Sequence, residues 1–182
     1  IGDKFLKENP SEELEISSVE GLKLRGVWVP AENPKGTILF AHGYRSSKMV
    51  DFSLAFGMYH TLGLNILIPD QRAHGKSEGK YICYGVLERY DALDWIEKVI
   101  TEKGDDEKIY LSGVSMGAST ALMASGLSLP KNVRGIIADC GFTSPSEIIK
   151  KVMREDMGFP LFPVFYTTRL LVKLVAKFDL DY

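Results

Sequence analysis

The alternation of strand and helix patterns along the sequence predicts an α/β domain with a largely parallel sheet. Three short apolar runs, at residues 37–41, 64–68 and 133–138, are typical of strands that are buried on both faces. Helical patterns separate these runs, and 182 residues suffice for one domain with its own core. The sequence shows neither an internal repeat nor a linker.

The individual elements follow from apolar spacing and from turn residues. The first half is predicted to contain an antiparallel hairpin over 14–19 and 22–29, a strand at 37–41, a helix at 49–62, a strand at 64–68 and a polar loop at 70–80. The second half is predicted to contain a helix at 86–100, a strand at 108–114, a small-residue helix at 118–125, a strand at 133–138, a helix from 144 to about 153 and an amphipathic helix at 165–178. Within the polar loop, Asp70 and Arg72 are expected to form a charge-assisted hydrogen bond.

One pentapeptide carries the candidate chemistry. Residues 113–117 read Gly-Val-Ser-Met-Gly, which fits the G-x-S-x-G pattern between a predicted strand and a predicted helix. We expect Ser115 to lie on a sharp turn that projects its hydroxyl beyond the sheet, beside a helix N-terminus that favours a developing anion. Gly113 and Gly117 would flank it because larger side chains would collide with neighbouring backbone. We interpret Ser115 as a nucleophile; the alternative is an ordinary turn with an incidental serine.

A second motif, His42-Gly43-Tyr44, follows the predicted strand at 37–41. Stabilising an oxyanion requires two backbone N–H donors. We expect these donors to be the Met116 N–H, directly after the serine, and the Tyr44 N–H, with Gly43 allowing that backbone to approach closely. His42 is interpreted as a structural residue that holds the loop by hydrogen bonds.

Together these motifs resemble the α/β-hydrolase superfamily, in particular single-domain bacterial serine hydrolases of the esterase, thioesterase and acylaminoacyl-peptidase-like groups. The segments that carry the resemblance are residues 42–44, 70–77, 113–117 and 138–144. The second of them departs from the family's usual D-x-R-G-x-G-x-S, because Ala73 and His74 occupy two of its middle positions. The resemblance implies a doubly wound, mostly parallel sheet with helices on both faces. It also implies a serine nucleophile, an acid and a histidine base, in that order along the chain.

The histidines do not follow that order, because His42, His60 and His74 all precede Ser115. Asp139, at a predicted strand end, is a candidate for the acid, although a loop or cap contact is the interpretation we favour. His74 is a weaker candidate for the base, since in the family its loop shapes the pocket. His60 is expected to be a surface or packing residue.

The family's last two strands also have no counterpart in the sequence. The resemblance therefore implies an incomplete, C-terminally truncated α/β-hydrolase domain over residues 1–182 that lacks its last strands. Residues 1–143 would form its core, and residues 144–182 the start of a cap or lid. The strand at 133–138 would then be an exposed apolar edge, through which the chain would self-associate or pair with another fragment.

These expectations define a function. The complete protein is expected to be a serine hydrolase that cleaves carboxylic ester or thioester bonds of a small-molecule substrate through an acyl-enzyme at Ser115. The chain as given is expected to be nearly inactive, because the acid and the histidine of the triad are missing. The alternative is a non-catalytic fragment that binds an acyl group or a partner on the same scaffold. Five apolar residues are candidates either for covering the acyl group or for packing the core: Phe159, Leu161, Phe162, Val164 and Phe165.

The composition and the absence of other motifs exclude several further classes of protein. A net charge of −2 provides no basic surface for nucleic acid. No metal-ligand spacing and no G-x-G-x-x-G nucleotide motif occur, so neither a metal nor a cofactor is expected. Cys83 and Cys140 are expected to be reduced thiols. No apolar run reaches the ~18 residues of a membrane helix, so the chain as given is expected to be soluble. Its localisation is not indicated, because the sequence begins at Ile1 and a lost N-terminal signal or anchor stays open.

Overall fold

The computed structural model of the chain describes residues 2–181, apart from the side chains at positions 48 and 49. Six strands of these residues form one sheet: β1 Glu12–Ser17, β2 Lys23–Val29, β3 Gly36–Ala41, β4 Leu64–Pro69, β5 Ile109–Val114 and β6 Val133–Asp139. Their order across the sheet is β1-β2-β4-β3-β5-β6. The β1–β2 hairpin is antiparallel and joins β4 antiparallel, whereas β4, β3, β5 and β6 run parallel to one another. The predicted mostly parallel α/β sheet is therefore confirmed.

Strand register places the candidate motifs at one edge of the sheet. Gly113 in β5 pairs with Ala41 in β3 on one side and with Ala138 in β6 on the other. The residues that follow these three parallel strands consequently meet at their carboxyl ends, which is where open α/β sheets bind ligands.

Helices cover both faces of the sheet. The described helices are α1 Gly2–Glu8, α2 Lys48–Asp51, α3 Ala55–Thr61, α4 Glu88–Lys103, α5 Met116–Ser125, α6 Pro145–Lys151 and α7 Val164–Leu171, and π-helical turns Val152–Asp156 and Val172–Ala176 extend the last two. On one face α4 and α5 pack on the sheet through Trp95, Ile96 and Ala121. On the other, α1 to α3 pack through Phe5, Phe52 and Phe56. This is the doubly wound arrangement expected.

Two elements at the start of the chain differ from the prediction. The helix predicted at 49–62 is two short helices, α2 and α3, because the chain turns at Phe52. This turn lets the rings of Phe52 and Phe56 both contact Phe40, at 4.5 and 5.3 Å between centroids. Helix α1 was not predicted, and it is held by Phe5 packing 5.8 Å from Phe56.

The segment after residue 143 forms a third apolar cluster next to the sheet. Helix α6 begins as predicted, since the Ser144 hydroxyl caps it by accepting the Glu147 N–H at 3.2 Å. Met153 and Phe165 from this segment pack against Cys83 and Val86 of the loop before α4. The division into a core over 1–143 and a cap over 144–182 stays a prediction, and residue 182 lies outside the described residues.

Strand β6 is the edge of the sheet within residues 2–181, and Ile137 on it is 41% exposed. Self-association through this edge stays a prediction. No helix within residues 2–181 has both the length and the apolar content needed to cross a membrane.

Candidate active site

Ser115 lies on the sharp turn between β5 and α5. Its backbone angles, φ 52° and ψ −115°, fall in a region that non-glycine residues rarely adopt. A Cβ at Gly113 would lie 2.2 Å from the Gly117 carbonyl oxygen, and a Cβ at Gly117 would lie 1.8 Å from the Ala41 carbonyl oxygen. No other residue type fits at either position, so the two glycines are required for this turn to pack against β3.

The side chain of Ser115 faces a cavity of about 880 Å³. Its backbone N–H donates to the Asp139 carbonyl oxygen at 2.9 Å, which fixes the turn against the end of β6. Within residues 2–181, setting aside the side chains at 48 and 49, the Ser115 hydroxyl has no hydrogen-bond partner. The hydroxyl is therefore available to a molecule bound in the cavity.

The loop after β3 lies directly against this serine. A Cβ built at Gly43 would be 3.5 Å from the Ser115 Cβ, an ordinary contact distance, so the loop lies beside the serine without requiring glycine at this position. The Gly43 N–H donates to Asp51 at 2.6 Å and the Arg45 N–H donates to His74 at 3.1 Å. Between them, the Tyr44 N–H has no acceptor among the described residues.

A second such donor comes from α5. Met116 is the first residue of this helix, and its N–H likewise has no acceptor in the part of the chain that the structure describes. The N–H groups of a helix's first turn have no intrahelical partner and carry partial positive charge. The structure thus brings the predicted residues Tyr44, Met116 and Ser115 to one place, with two unoccupied donors.

His42 is fully buried and both of its ring nitrogens are engaged in the loop. Nδ1 lies 2.9 Å from the Gly43 carbonyl oxygen, and Nε2 accepts the Gln71 N–H at 3.1 Å. This pattern requires the neutral imidazole with its proton on Nδ1. Burial, partly offset by the hydrogen bond to Gly43, lowers the pKa of His42. These contacts agree with the structural interpretation of this residue.

The other two imidazoles are also occupied. His74 accepts the Arg45 N–H with Nε2, and its Nδ1 lies 2.9 Å from the Arg72 carbonyl oxygen. His60 bonds to the Pro30 carbonyl oxygen at 2.9 Å. Among residues 2–181 no imidazole contacts Ser115. Asp139 touches the turn only through its backbone carbonyl oxygen, and its exposed carboxylate has no partner among the described residues.

An aromatic wall that the sequence did not predict lines the cavity beside the serine. We use this name for Tyr44, Tyr84 and Phe142. The rings of Tyr44 and Tyr84 stack at 5.2 Å and 17°, and Phe142 lies 6.5 Å from Tyr84. Burial and the neighbouring Tyr44 raise the pKa of Tyr84. The opposite side of the cavity comes from α6 and the π-helical turn after it, with apolar contributions from Ile148, Ile149, Val152, Met153 and Met157.

The five apolar residues considered for an acyl cover do not line this cavity. Phe165 is 2% exposed and belongs to the third apolar cluster, whereas Phe159 and Phe162 are 49% and 77% exposed. For Phe165 the alternative of core packing is therefore correct. The cavity is covered instead by residues that precede Phe159, in α6 and the π-helical turn after it.

The expected hydrogen bond between Asp70 and Arg72 is wrong. The Arg72 guanidinium forms a bidentate pair with Asp91 in α4, at 2.6 and 2.7 Å, and a further bond to Glu20 at 2.5 Å. The partners come from elements distant in sequence, and the Arg72–Asp91 pair is almost fully buried. This pair fastens the loop after β4 to α4.

Neither cysteine forms a disulfide. Cys83 is buried, and burial raises the pKa of its thiol to about 12, whereas the exposed Cys140 lines the cavity. Within the described residues no group of three or more His, Cys, Asp or Glu side chains has the arrangement to hold a metal ion.

Comparisons with known proteins agree with this fold. A family model described as alpha/beta hydrolase fold matches residues 36–167. The uncharacterized protein YqkD of Bacillus subtilis is 29% identical over 87% of this chain and 52% of its own length. Thiohydrolase aneE of Aspergillus aculeatus is 31% identical over 83% of this chain and 46% of its own length. The chain thus spans about half the length of these curated relatives.

Among solved structures, the esterase Pf2001 of Pyrococcus furiosus matches with a TM-score of 0.71 at 29% identity. The match covers 88% of this chain and 62% of that chain.

Proposed function

The chain belongs to the alpha/beta hydrolase family, and we propose that it carries the nucleophile of a hydrolase that cleaves carboxylic ester or thioester bonds through an acyl-enzyme at Ser115. The observation that carries the proposal is the strained turn that presents the free Ser115 hydroxyl to a cavity. Two free N–H groups accompany it, one on Met116, the next residue, and one on Tyr44, in the loop that lies against Ser115. The likeness to an esterase and to a thiohydrolase supports this choice of bond.

In this mechanism the Ser115 Oγ attacks the carbonyl carbon of the substrate. The new C–O bond places negative charge on the carbonyl oxygen, which the Tyr44 and Met116 N–H groups receive. Because neither donor is otherwise occupied, no existing hydrogen bond has to break as the charge develops. The alcohol or thiol then leaves with a proton, and water hydrolyses the acyl-enzyme. Removing one such donor typically lowers kcat ~10²–10³-fold.

The proton of the Ser115 hydroxyl needs an acceptor, and we propose that no imidazole of this chain supplies it. His42 and His74 each have both ring nitrogens bound within the loops they support. A serine without an adjacent base is a weak nucleophile at neutral pH. The 182 residues alone are therefore expected to react slowly, and a histidine and an acid from further residues would complete the relay.

The cavity supports a small-molecule acyl substrate. Its volume of about 880 Å³ falls within the ~300–1,000 Å³ usual for small-molecule sites. Aromatic and aliphatic side chains from both sides of the cavity would hold the acyl group, and the charged side chains Glu147, Lys150 and Lys151 of α6 line the cavity as well.

A fluorophosphonate reagent tests the proposal, because the serine oxygen displaces fluoride and forms a stable bond to phosphorus. Intact mass spectrometry is expected to show slow addition of one adduct, none on the Ser115→Ala variant, and parental labelling on the Ser128→Ala variant, whose serine is exposed and outside the cavity. Labelling that survives Ser115→Ala would contradict the proposal. Absence of labelling at Ser115, also in a longer chain that supplies a histidine and an acid, would favour the binding fragment.

A further inference from the structure

The buried carboxylate of Glu88 has no part in the mechanism above. It lies in the first turn of α4, is 1% exposed, and accepts the Cys83 N–H at 2.7 Å and the Gly85 N–H at 2.9 Å, one with each oxygen. The residue between these two bound amides is Tyr84. Glu88 therefore holds both sides of a single residue, and that residue lines the cavity.

The backbone at this turn is strained. Tyr84 has φ 53° and is followed by Gly85 with φ 92°, so two consecutive residues adopt left-handed conformations. A tyrosine in this region requires surrounding structure to hold it there. The two hydrogen bonds to Glu88 supply that constraint.

The turn is also pressed against the helix that begins at the catalytic turn. A Cβ at Gly85 would lie 3.2 Å from the Thr120 N and Oγ1 atoms, one helical turn after Met116. Held from both sides, the turn projects the Tyr84 ring onto the Tyr44 ring, at 5.2 Å. Tyr44 carries the proposed oxyanion donor, and the two stacked rings line the same cavity as Ser115.

We propose that Tyr84 is a specificity-determining residue that gives the cavity an apolar surface for extended acyl chains, and that Glu88 is the positioning residue that holds it there. The proposal rests on Ser115 being the nucleophile. In this proposal a short acyl group bound at Ser115 leaves the Tyr84 ring uncovered, whereas a longer chain contacts it. The site therefore prefers extended alkyl chains over short ones, and that preference depends on the turn that Glu88 fixes.

The preference is measured as the ratio of the rates at which octyl and ethyl fluorophosphonates label Ser115. The Tyr84→Ala variant loses the ring surface and is expected to lower the octyl-to-ethyl ratio about tenfold, as expected for the loss of a small apolar contact area. Tyr84→Phe keeps the ring and should keep the parental ratio. A ratio unchanged in Tyr84→Ala would overturn the role of Tyr84.

Glu88→Gln tests the positioning role, because an amide nitrogen cannot accept one of the two N–H bonds. We expect faster amide hydrogen exchange at Cys83 and Gly85 and a lower octyl-to-ethyl ratio. Glu97→Gln makes the same change at an exposed position of α4 and should alter neither. In the Tyr84→Ala background, Glu88→Gln should lower the ratio no further; a further decrease, or unchanged exchange in the single variant, would overturn the role of Glu88.

The two proposals fail in different ways. Absence of Ser115 labelling with either reagent in every chain would overturn the proposed function, and with it the selectivity role of Tyr84. Amide exchange at residues 83 and 85 does not depend on Ser115, so it decides separately whether Glu88 holds the turn.

Discussion

The turn at residues 113–117 and the segment at residues 144–181 both border the cavity, but they are specified very differently. In the turn, backbone atoms of β3 and α5 exclude any side chain at Gly113 or Gly117. In the segment, large apolar side chains such as Leu170 and Leu174 are 58% and 66% exposed. Steric exclusion fixes the backbone of the turn that carries Ser115, whereas the segment packs more loosely and leaves large apolar side chains exposed.

The largest effect is expected from Gly117→Ala, because its Cβ would overlap the Ala41 carbonyl oxygen, which cannot move without distorting the sheet. We expect a loss of at least about 4 kcal/mol in the free energy of unfolding, measured by urea denaturation. Gly57→Ala, where nothing lies within 4 Å of the added atom, and Leu174→Ser on the exposed face of the segment are the controls. Both are expected to stay within about 1 kcal/mol of the parent. Equal stability of Gly117→Ala and the controls would remove the contrast between the regions.

A smaller difference is expected between a buried ion pair beside the sheet and an exposed ion pair of the segment. Asp91→Ala leaves the buried Arg72 guanidinium without its bidentate partner, which should cost about 3 kcal/mol. Asp179→Ala removes a partner of Arg169 and Lys173 at the surface of the segment and should leave the urea midpoint unchanged. Similar shifts in the two variants would show that burial does not distinguish these pairs.

The loop after β3, which lies against the Ser115 turn, and the segment at residues 144–181 should also respond to acid at different pH values. Burial lowers the pKa of His42 in the native protein. Below the ordinary pKa of 6.5, the unfolded chain therefore binds a proton at this imidazole that the native protein does not bind. Stability of this loop is therefore lost as pH falls below 6.5. The Lys173 hydrogen bond lowers the pKa of Asp179 from 3.8 to about 2, so its contribution is lost only between those values. Amide protection factors measured at pH 7 and at pH 5.5 should be lower at pH 5.5 for residues 42–46 and equal at both pH values for residues 169–181. A decrease at residues 169–181 with no change at 42–46 would contradict this assignment of the two pKa shifts.

The sequence predicts the turn and the strands better than it predicts the surroundings of the cavity. Ser115, Gly113 and Gly117 were recognisable because the strand-to-helix turn leaves a fixed five-residue pattern, although the clash that requires glycine at 117 is with Ala41 of β3. The parallel strands were recognisable from their continuous apolar runs. Burial on both faces explains these runs in β3 and β4, but this expectation is wrong for β6, whose residues are largely exposed at the edge of the sheet. The fold confirms the turn and the parallel strands, and the roles of the site residues stay proposals.

The features that sequence reasoning missed depend on distant segments. Tyr84 and Phe142 come from separate loops that only the sheet order brings together, and no spacing marks them. Arg72 pairs with Asp91 because α4 packs over the loop, whereas the sequence offered only Asp70 nearby. The one available signal near Tyr84 was Glu88, four residues later. An acidic residue at the start of a helix can accept N–H groups from the turn before it, and Glu88 accepts those of Cys83 and Gly85.

The two free amides beside Ser115 can be observed directly in the phosphonylated chain. In ¹⁵N–¹H spectra recorded before and after labelling, the amide protons of Tyr44 and Met116 are expected to move strongly downfield, since each gains an anionic oxygen as acceptor. The amides of Gly43 and Arg45, which already donate to side chains, should move little. Unchanged Tyr44 and Met116 amides, or larger shifts at Gly43 and Arg45, would contradict the proposed site.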